Sequence, residues 1–455
     1  MKRAAIALSA LLAGCAAYRP LALPTDAALI HEVGRLSVDI ARLPGSDLAS
    51  HSFDPSDGLD ITEVAMLAVA NNPELRLARA DAGVTRAQAF SAGLLPDPQL
   101  ALARETAMGS PAGATTAFSA GLTVDVAALL ARSSTHAAAQ AESRKADLDL
   151  LWQEWQTVAK ARLLFVKLDA LDASLAVLQV QRELLQQRVD AAQRAVDAGL
   201  IASDAATPQL VALQDASRQS DDLARQRNQA RHDLDTLLGV APDLPLKLVG
   251  PADVATLDAA AVHAALALAP RRRPDLLALQ AGFEAQDDRY RGALRAQFPA
   301  ITVGPTRARD TSDVNTIGLS LGITLPLFNR NRGNIAIESA TRDKLRVDYQ
   351  QRLDAAAIES DRLLEEQALL TRQLAAIDAS LPELARAAER AGRALQARNI
   401  DALALTAVEG ALLARRLERI ATQQALREQA IALQALLGTP SNLPPAGAAQ
   451  PGKSS

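Results

Sequence analysis

Thr316-Ile317-Gly318-Leu319-Ser320-Leu321-Gly322-Ile323-Thr324-Leu325 is the stretch that decides the fold. Large apolar residues alternate with Thr, Gly and Ser throughout. That is the period of a strand with one apolar and one wet face. Phe118, Ala120, Leu122, Val124 and Val126 repeat the alternation earlier in the chain. Leu100 with Leu102, and Ile301 with Val303, predict the partner strand of each hairpin. One such strand alone would suit a half-buried soluble sheet. The length here suits a tilted membrane strand of about 9–11 residues. The second face is small and polar, as a watery lumen requires. Segments 107–115 and 307–313 carry the polar, Gly/Ser/Asp-rich composition of solvent-facing hairpin tips. Four strands cannot close a membrane barrel, whose smallest single-chain form has about eight. Open edges are not tolerated in lipid. If these strands enter a membrane, several copies of the chain must share one barrel.

Outward from the strands the period changes. From about Ala127 to Ala198 there is no Pro or Gly, and an unbroken helix there would be about 110 Å long. A second run spans about Asn334 to Arg398 and contains Pro382, a residue able to bend it. Each run meets a short break, at Gly199 to Ser203 and at Arg398 to Asp401. A return helix then ends at Gly239 or Gly438, both natural C-caps. Further helical stretches near 60–93 and 258–295 precede the strand pairs. Each preceding helix, stacked end to end on its return helix, would give the long helix an antiparallel partner.

The chain repeats itself once. Asn72-Pro73-Glu74-Leu75 resembles Arg273-Pro274-Asp275-Leu276, and the segment from Phe118 resembles that from Leu319, both 201 residues apart. Leu237-Leu238-Gly239 matches Leu436-Leu437-Gly438 at 199. Leu171, Leu175, Leu178, Leu185, Val189, Ala192 and Val196 form a heptad-like seam. Adding 199 reaches Leu370, Leu374, Ile377, Leu384, Ala388, Ala391 and Leu395. One seam marks any coiled coil; two in register mark a duplication. The expected organisation is repeat 1 over 59–250 and repeat 2 over 251–440. A signal segment at 1–14 and a tether at 15–58 come before them, and a Pro/Gly/Ser-rich tail at 441–455 follows. The fold class is mainly α with a β-barrel portion contributed by four strands per chain.

Composition agrees. Apolar residues make up 49% of the chain but aromatics only 3%, so Ala and Leu supply the apolar content, as in long helices and coiled coils. A net charge of −4 argues against nucleic acid as a partner. The single Cys excludes a disulfide framework. Met1-Lys2-Arg3 and the apolar run Ala4 to Ala13 lead to Leu12-Ala13-Gly14-Cys15. That ending matches the lipobox of bacterial lipoproteins, in which the Cys becomes the lipid-bearing N-terminus. Ala16, rather than Asp, favours the outer membrane by the sorting rules of such lipoproteins. No later run of about 18 apolar residues predicts a membrane helix.

The arrangement resembles the TolC-type outer-membrane factor family of bacterial efflux systems over about residues 60–440. The residues that carry the likeness are Asn72-Pro73-Glu74-Leu75, Ala92-Gly93-Leu94-Leu95-Pro96-Asp97-Pro98, Leu381-Pro382 and, most specifically, Leu325-Pro326-Leu327-Phe328-Asn329-Arg330-Asn331-Arg332-Gly333. The resemblance implies a homotrimer with a twelve-stranded outer-membrane barrel and a helical tunnel into the periplasm. It also implies two partners, a periplasmic adaptor and an inner-membrane pump. The implied branch serves resistance-nodulation-division pumps, with the heavy-metal subgroup as one option. Gly199-Leu200-Ile201-Ala202-Ser203 and Arg398-Asn399-Ile400-Asp401 become adaptor-docking turns. The second has Arg where the family has Gly. Asp204 and Asp401 become candidates for the carboxylate rings that narrow the entrance, with helix N-capping as the competing role. Pro326 to Gly333 reads as structural: Pro326 stops the strand ladder, and Asn331 to Asn334 offer a turn and an N-cap.

No phosphate-binding Gly-rich loop occurs, and the five His are scattered without ligand spacing. No cofactor, metal site or enzymatic chemistry is expected. Trp152 and Trp155 share a helix face and read as packing. The rival reading is a periplasmic coiled-coil lipoprotein, an adaptor or envelope scaffold without a channel. Such an adaptor would show one helical hairpin between soluble β-domains, not two repeats that each join strands to a long hairpin. A wide duct has no tight pocket, so the exported compound is not legible.

Overall fold

The computed structural model describes residues 18–40, 43, 46–109, 113–202 and 206–438. The signal segment with Cys15, the tip residues Ser203 and Asp204, and the 441–455 tail lie outside them. Repeat 1 runs α1 (Ile61–Asn71), α2 (Pro73–Ala92), β1 (Gln99–Glu105), β2 (Ala117–Asp125), α3 (Val126–Asp197) and α4 (Thr207–Leu238). Repeat 2 follows the same order: α5 (Ala259–Arg272), α6 (Pro274–Arg295), β3 (Ala300–Arg309), β4 (Asn315–Thr324), α7 (Arg332–Gln396) and α8 (Ala402–Leu437). The ends of α3 and α4 map onto those of α7 and α8 at the same offset of 199 that the sequence displayed.

Both long helices are unbroken, and α7 continues through Pro382. The stretches expected as single helices before the strands are each two. Pro73 and Pro274 open α2 and α6, and the residue before a proline resists helical backbone. Asn72 caps α2 by accepting from the Leu75 N–H at 2.9 Å. Its amide also donates to the Leu237 carbonyl at 2.9 Å, which joins the start of α2 to the end of α4. In repeat 2 the same joint is built differently. Arg273, 3% exposed, forks onto Asp275 at 2.8 and 2.6 Å and lies 5.2 Å from the Trp152 ring centroid. A Cβ at Gly438 would collide with Trp155 at 2.6 Å. The two sequence motifs that reveal the duplication, Asn72/Arg273-Pro and Leu-Leu-Gly, therefore meet in space in each repeat.

These joints complete the expected composite partners. Helix α2 runs antiparallel to the first half of α3, with Arg79–Glu154 at 2.8 Å and Arg86–Asp147 at 3.1 Å. Helix α4 covers the second half, where Arg227 pairs with Asp172 and Arg182 donates to Ser220 at 3.2 Å. In repeat 2, α6 and α8 flank α7 in the same way, through Arg342–Asp287 at 3.1 Å and Arg419–Asp378 at 2.6 Å. Helices α6 and α8 also pack on α3, which no residue pattern signals. Arg289–Glu142 at 3.1 Å and Arg427–Asp169 at 3.1 Å make that contact, so the repeats share one bundle.

The densest core lies midway along α3, where Phe165, Val166 and Leu168 meet α1, Leu234, Leu238 and Ile431. Described residues between Ile30 and Leu59 pack on this core. Leu36 and Leu48 are buried in it. Ile30 and Leu59 bridge in parallel to Val240 and Leu248. Toward the far end the described residues Leu185, Leu213 and Ala216 form a small buried cluster. Leu171, Leu178, Leu185, Leu370 and Ile377 of the predicted seams are buried, and each removes apolar surface worth about 1.5–3 kcal/mol.

The four strands form one antiparallel sheet in the order β1-β2-β3-β4. Residues directly opposite across antiparallel strands share a face. The pairings Leu100↔Leu122, Val124↔Val303, Val303↔Leu321 and Ile301↔Ile323 therefore gather the large apolar side chains on one side. Thr123, Gly121, Thr306, Gly318, Ser320 and Gly322 fall on the other. Three local details depart from expectation, the first being that β3 runs to Arg309, so residues 307–309 of the expected tip belong to the strand. Val126 belongs to α3 rather than to the strand, and Asp125 caps that helix through the Ala128 N–H at 3.0 Å. The inner strand β3 contains Pro305, and the β2–β3 pairing skips from Gly121↔Thr306 to Val124↔Val303 around it, because proline has no N–H to give the ladder.

Candidate functional site: sheet edges, crossing and helix tips

At one end of the molecule the sheet presents an unusual surface. Leu100, Leu102, Ile317, Leu319, Leu321 and Ile323 are all exposed, Ile317 by 84%. Exposed apolar residues in such number on one sheet face need an apolar medium or a partner. Among the described residues strands β1 and β4 are both unpaired on their outer edges, so backbone donors and acceptors there await another strand. No described helix is long and apolar enough to cross a membrane, which bears on helices alone.

The crossing from β4 into α7 carries Pro326 to Gly333. Leu327 is 66% and Phe328 100% exposed. Arg330 and Asn331 both adopt left-handed backbone, with φ of 48° and 56°. Asn331 stands at the N-cap position, but its side chain makes no cap bond to α7. Its amide donates instead to the Ala293 carbonyl at 2.8 Å. The expected N-cap is thus a tie between the crossing and the last turn of α6, because the left-handed backbone turns the side chain away from the α7 amides. Arg330 and Arg332 are exposed and have no carboxylate partner among the described residues.

At the opposite end lie the two helix turns. Helix α3 closes with Leu200 N–H to the Ala195 carbonyl at 2.8 Å, and α7 closes with Asn399 N–H to the Ala394 carbonyl at 2.8 Å. Both are Schellman-type stops with a left-handed residue between. In the first that residue is Gly199, φ 69°; in the second it is Arg398, φ 60°. Arg398 thus keeps the glycine geometry at a steric cost that glycine would not have. Arg398→Gly is expected to stabilise this turn by about 0.5–1 kcal/mol. Slower amide exchange at Asn399 would report it, and unchanged or faster exchange would refute the strain.

Asp401 is exposed and accepts from the Ala404 N–H at 2.8 Å, so the N-cap role is realised. Leu200 is 77%, Ile201 39% and Leu403 60% exposed. Just above the turns a shallow groove between α4 and α8 is lined by Pro208, Val211, Ala212, Leu403, Thr406 and Ala407. Sequence reasoning missed this groove, because its walls come from helices almost 200 residues apart.

Among the described residues one cluster could offer metal ligands: His51, Asp60 and Glu63. Its carboxylates are occupied as helix caps. Asp60 accepts from Thr62 and Glu63 N–H groups at 2.7 and 2.8 Å, and Glu63 accepts from Asp54 and Asp60 N–H groups. Near the end of α4, burial pushes the Asp235 carboxyl above the usual range although Arg231 lies 3.0 Å away. Arg231 also donates to the Leu244 and Leu246 carbonyls at 2.8 Å each, so the pair fastens the segment that follows α4.

Residues 265–439 match the family model of outer membrane efflux proteins. Solved structures match nearly the whole chain. CusC superposes with a TM-score of 0.71 at 19% identity, over 86% of this chain and 96% of that one. The chain has the outer membrane efflux protein fold. VceC from Vibrio cholerae gives a TM-score of 0.71 at 16% identity, over 83% of this chain and 96% of that one. The CmeC channel of Campylobacter jejuni gives 0.71 at 16%, over 93% and 95%. No curated protein gives a significant sequence match. In this efflux-protein fold the matched segment lies within repeat 2, from inside α5 onward, and includes the crossing motif and the second tip.

Proposed function

We propose that this chain forms the outer-membrane channel of a tripartite efflux system. The duct would pass substrates passively from an inner-membrane pump and periplasmic adaptor to the outside. The observation that carries the reading is the sheet: four strands, two free edges, one face of exposed large apolar residues and one of small polar residues. In lipid, both free edges must be paired. Three copies joined β4 to β1 give twelve strands, an even number within the range of membrane barrels. The helical bundle then continues the lumen into the periplasm. At 72 residues, α3 extends about 108 Å. A coiled-coil scaffold without a channel would have no use for a lipid-facing sheet. Cys15, in its lipobox, supplies a lipid anchor at the membrane that the barrel occupies. Nothing in the fold selects the exported compound.

The turns at Gly199 to Ser203 and Arg398 to Asp401, with the apolar groove above them, form the adaptor-docking end. There Asp401 or Asp204 supplies a threefold carboxylate ring that favours cations. Asn caps a helix about as well as Asp, so Asp401→Asn removes charge without removing the cap. The purified mature protein is expected to run as a trimer from the outer-membrane fraction and to conduct in a planar bilayer. Asp401→Asn with Asp204→Asn should reduce its cation preference. A monomeric or non-conducting protein would sink the channel reading. Unchanged ion selectivity in both variants would sink the rings alone.

A further inference from the structure

Among the described strand residues the apolar sheet face carries one aromatic at its outer rim, Phe118. The face ends in arginine. The pairings Arg104↔Phe118 and Phe118↔Arg309 set two arginines in one row, and Ala120↔Arg307↔Ile317 puts a third in the next. All three share the face of Leu100, Leu102, Leu319 and Leu321, and all are exposed. Arg309 lies 2.6 Å from Asp313; Arg104 and Arg307 have no carboxylate partner among the described residues. At the opposite end of the sheet Phe298, Leu325, Leu327 and Phe328 are exposed.

Depth decides what the arginines meet. From Ile301 to Arg309 the strand advances eight residues, about 27 Å at ~3.4 Å each. With a tilt of roughly 40° this covers about 21 Å of membrane thickness, close to the height of a barrel's apolar band. A charge on the lipid face is costly at mid-membrane and nearly free at the interface. The arginine rows therefore sit at outer-leaflet headgroup level, where forked guanidinium groups match phosphate oxygens.

We infer that Arg104, Arg307 and Arg309 form a lipid-facing belt that binds the phosphate groups of outer-leaflet lipids, nine arginines per trimer. The inference rests on the channel reading above. The test is native mass spectrometry of the full-length mature trimer with diphosphoryl lipid A, its dephosphorylated form and inorganic phosphate. The wild type is expected to retain the diphosphoryl form at least about tenfold better than the dephosphorylated one. The Arg104→Gln/Arg307→Gln/Arg309→Gln variant should lose that preference while its conductance persists, and the matching Lys variant should keep most of it. A conducting wild-type trimer without preference overturns the belt and leaves the channel standing; this arm needs no variant to fold. Preference kept in the Gln variant overturns it as well, as does displacement by millimolar inorganic phosphate, which would mean a free-anion site. A wild type that forms no barrel overturns both readings.

Discussion

Gly304→Val is expected to abolish assembly of the barrel, with no trimer recovered from the outer-membrane fraction. Gly304 lies in the inner strand β3, and a Cβ there would run into the Leu122 carbonyl of the neighbouring backbone. A flexible side chain could move aside; a paired strand cannot. The neighbour Pro305 has already removed one ladder bond, so β2 and β3 depend on this close approach to stay in register. Overpacking that displaces backbone exceeds the usual cost of a point change, about 4 kcal/mol or more. Loss of one pairing opens an edge in every copy of a closed barrel. Gly318→Ala is the control: its Cβ would meet only Thr306 Oγ1 at 3.5 Å, an ordinary contact, and assembly should persist. Heat-modifiable trimer on gels measures both. Wild-type trimer from Gly304→Val would mean that the strand approach relaxes on assembly.

The second large effect is expected at the tips. Val211→Glu with Leu403→Glu should abolish efflux while the trimer still assembles and conducts. Val211 and Leu403 are 53% and 60% exposed and face one groove from α4 and α8. Neither supports the core, so folding has little stake in them. If an adaptor helix buries both, each charge is desolvated without a partner. At about 2 kcal/mol per hot-spot residue, the pair would weaken docking about a thousandfold. Drug and metal susceptibility of the complemented deletion strain, with crosslinking to the adaptor, reads the effect. Normal susceptibility with intact crosslinks would place the docking surface elsewhere.

Much of this was legible in the chain because it is periodic. The alternation over Thr316 to Leu325 gave the strand and its faces. The seams from Leu171 and Leu370 gave the two long helices, and their common offset gave the duplication. The stops at Gly199, Gly239 and Gly438 were visible because glycine tolerates left-handed backbone. Arg398 hid the fourth stop from propensity alone, and only its place in the repeat pointed to it. The splits at Asn72 and Arg273 are marked in the chain only by Pro73 and Pro274, whose effect depends on the backbone of the residue before them. The segment Asn331 to Asn334 offers a turn and an N-cap by residue type, but the left-handed backbone of Asn331 gives its amide to Ala293 instead.

The residues by themselves determined period, length and chain order, since these follow from neighbours a few positions apart. They also determined that four strands are too few, which made a shared barrel necessary. Only the tertiary structure decided which surfaces coincide. It placed Asn72 on Leu237, packed α6 and α8 against α3, set Gly304 against Leu122, and brought Val211 beside Leu403. It also put Arg104 and Arg309 in one row across Phe118. Side chains far apart in the chain become neighbours only through register and helix rotation. Those are settled by the joint packing of many elements at once, so no local stretch of sequence contains them.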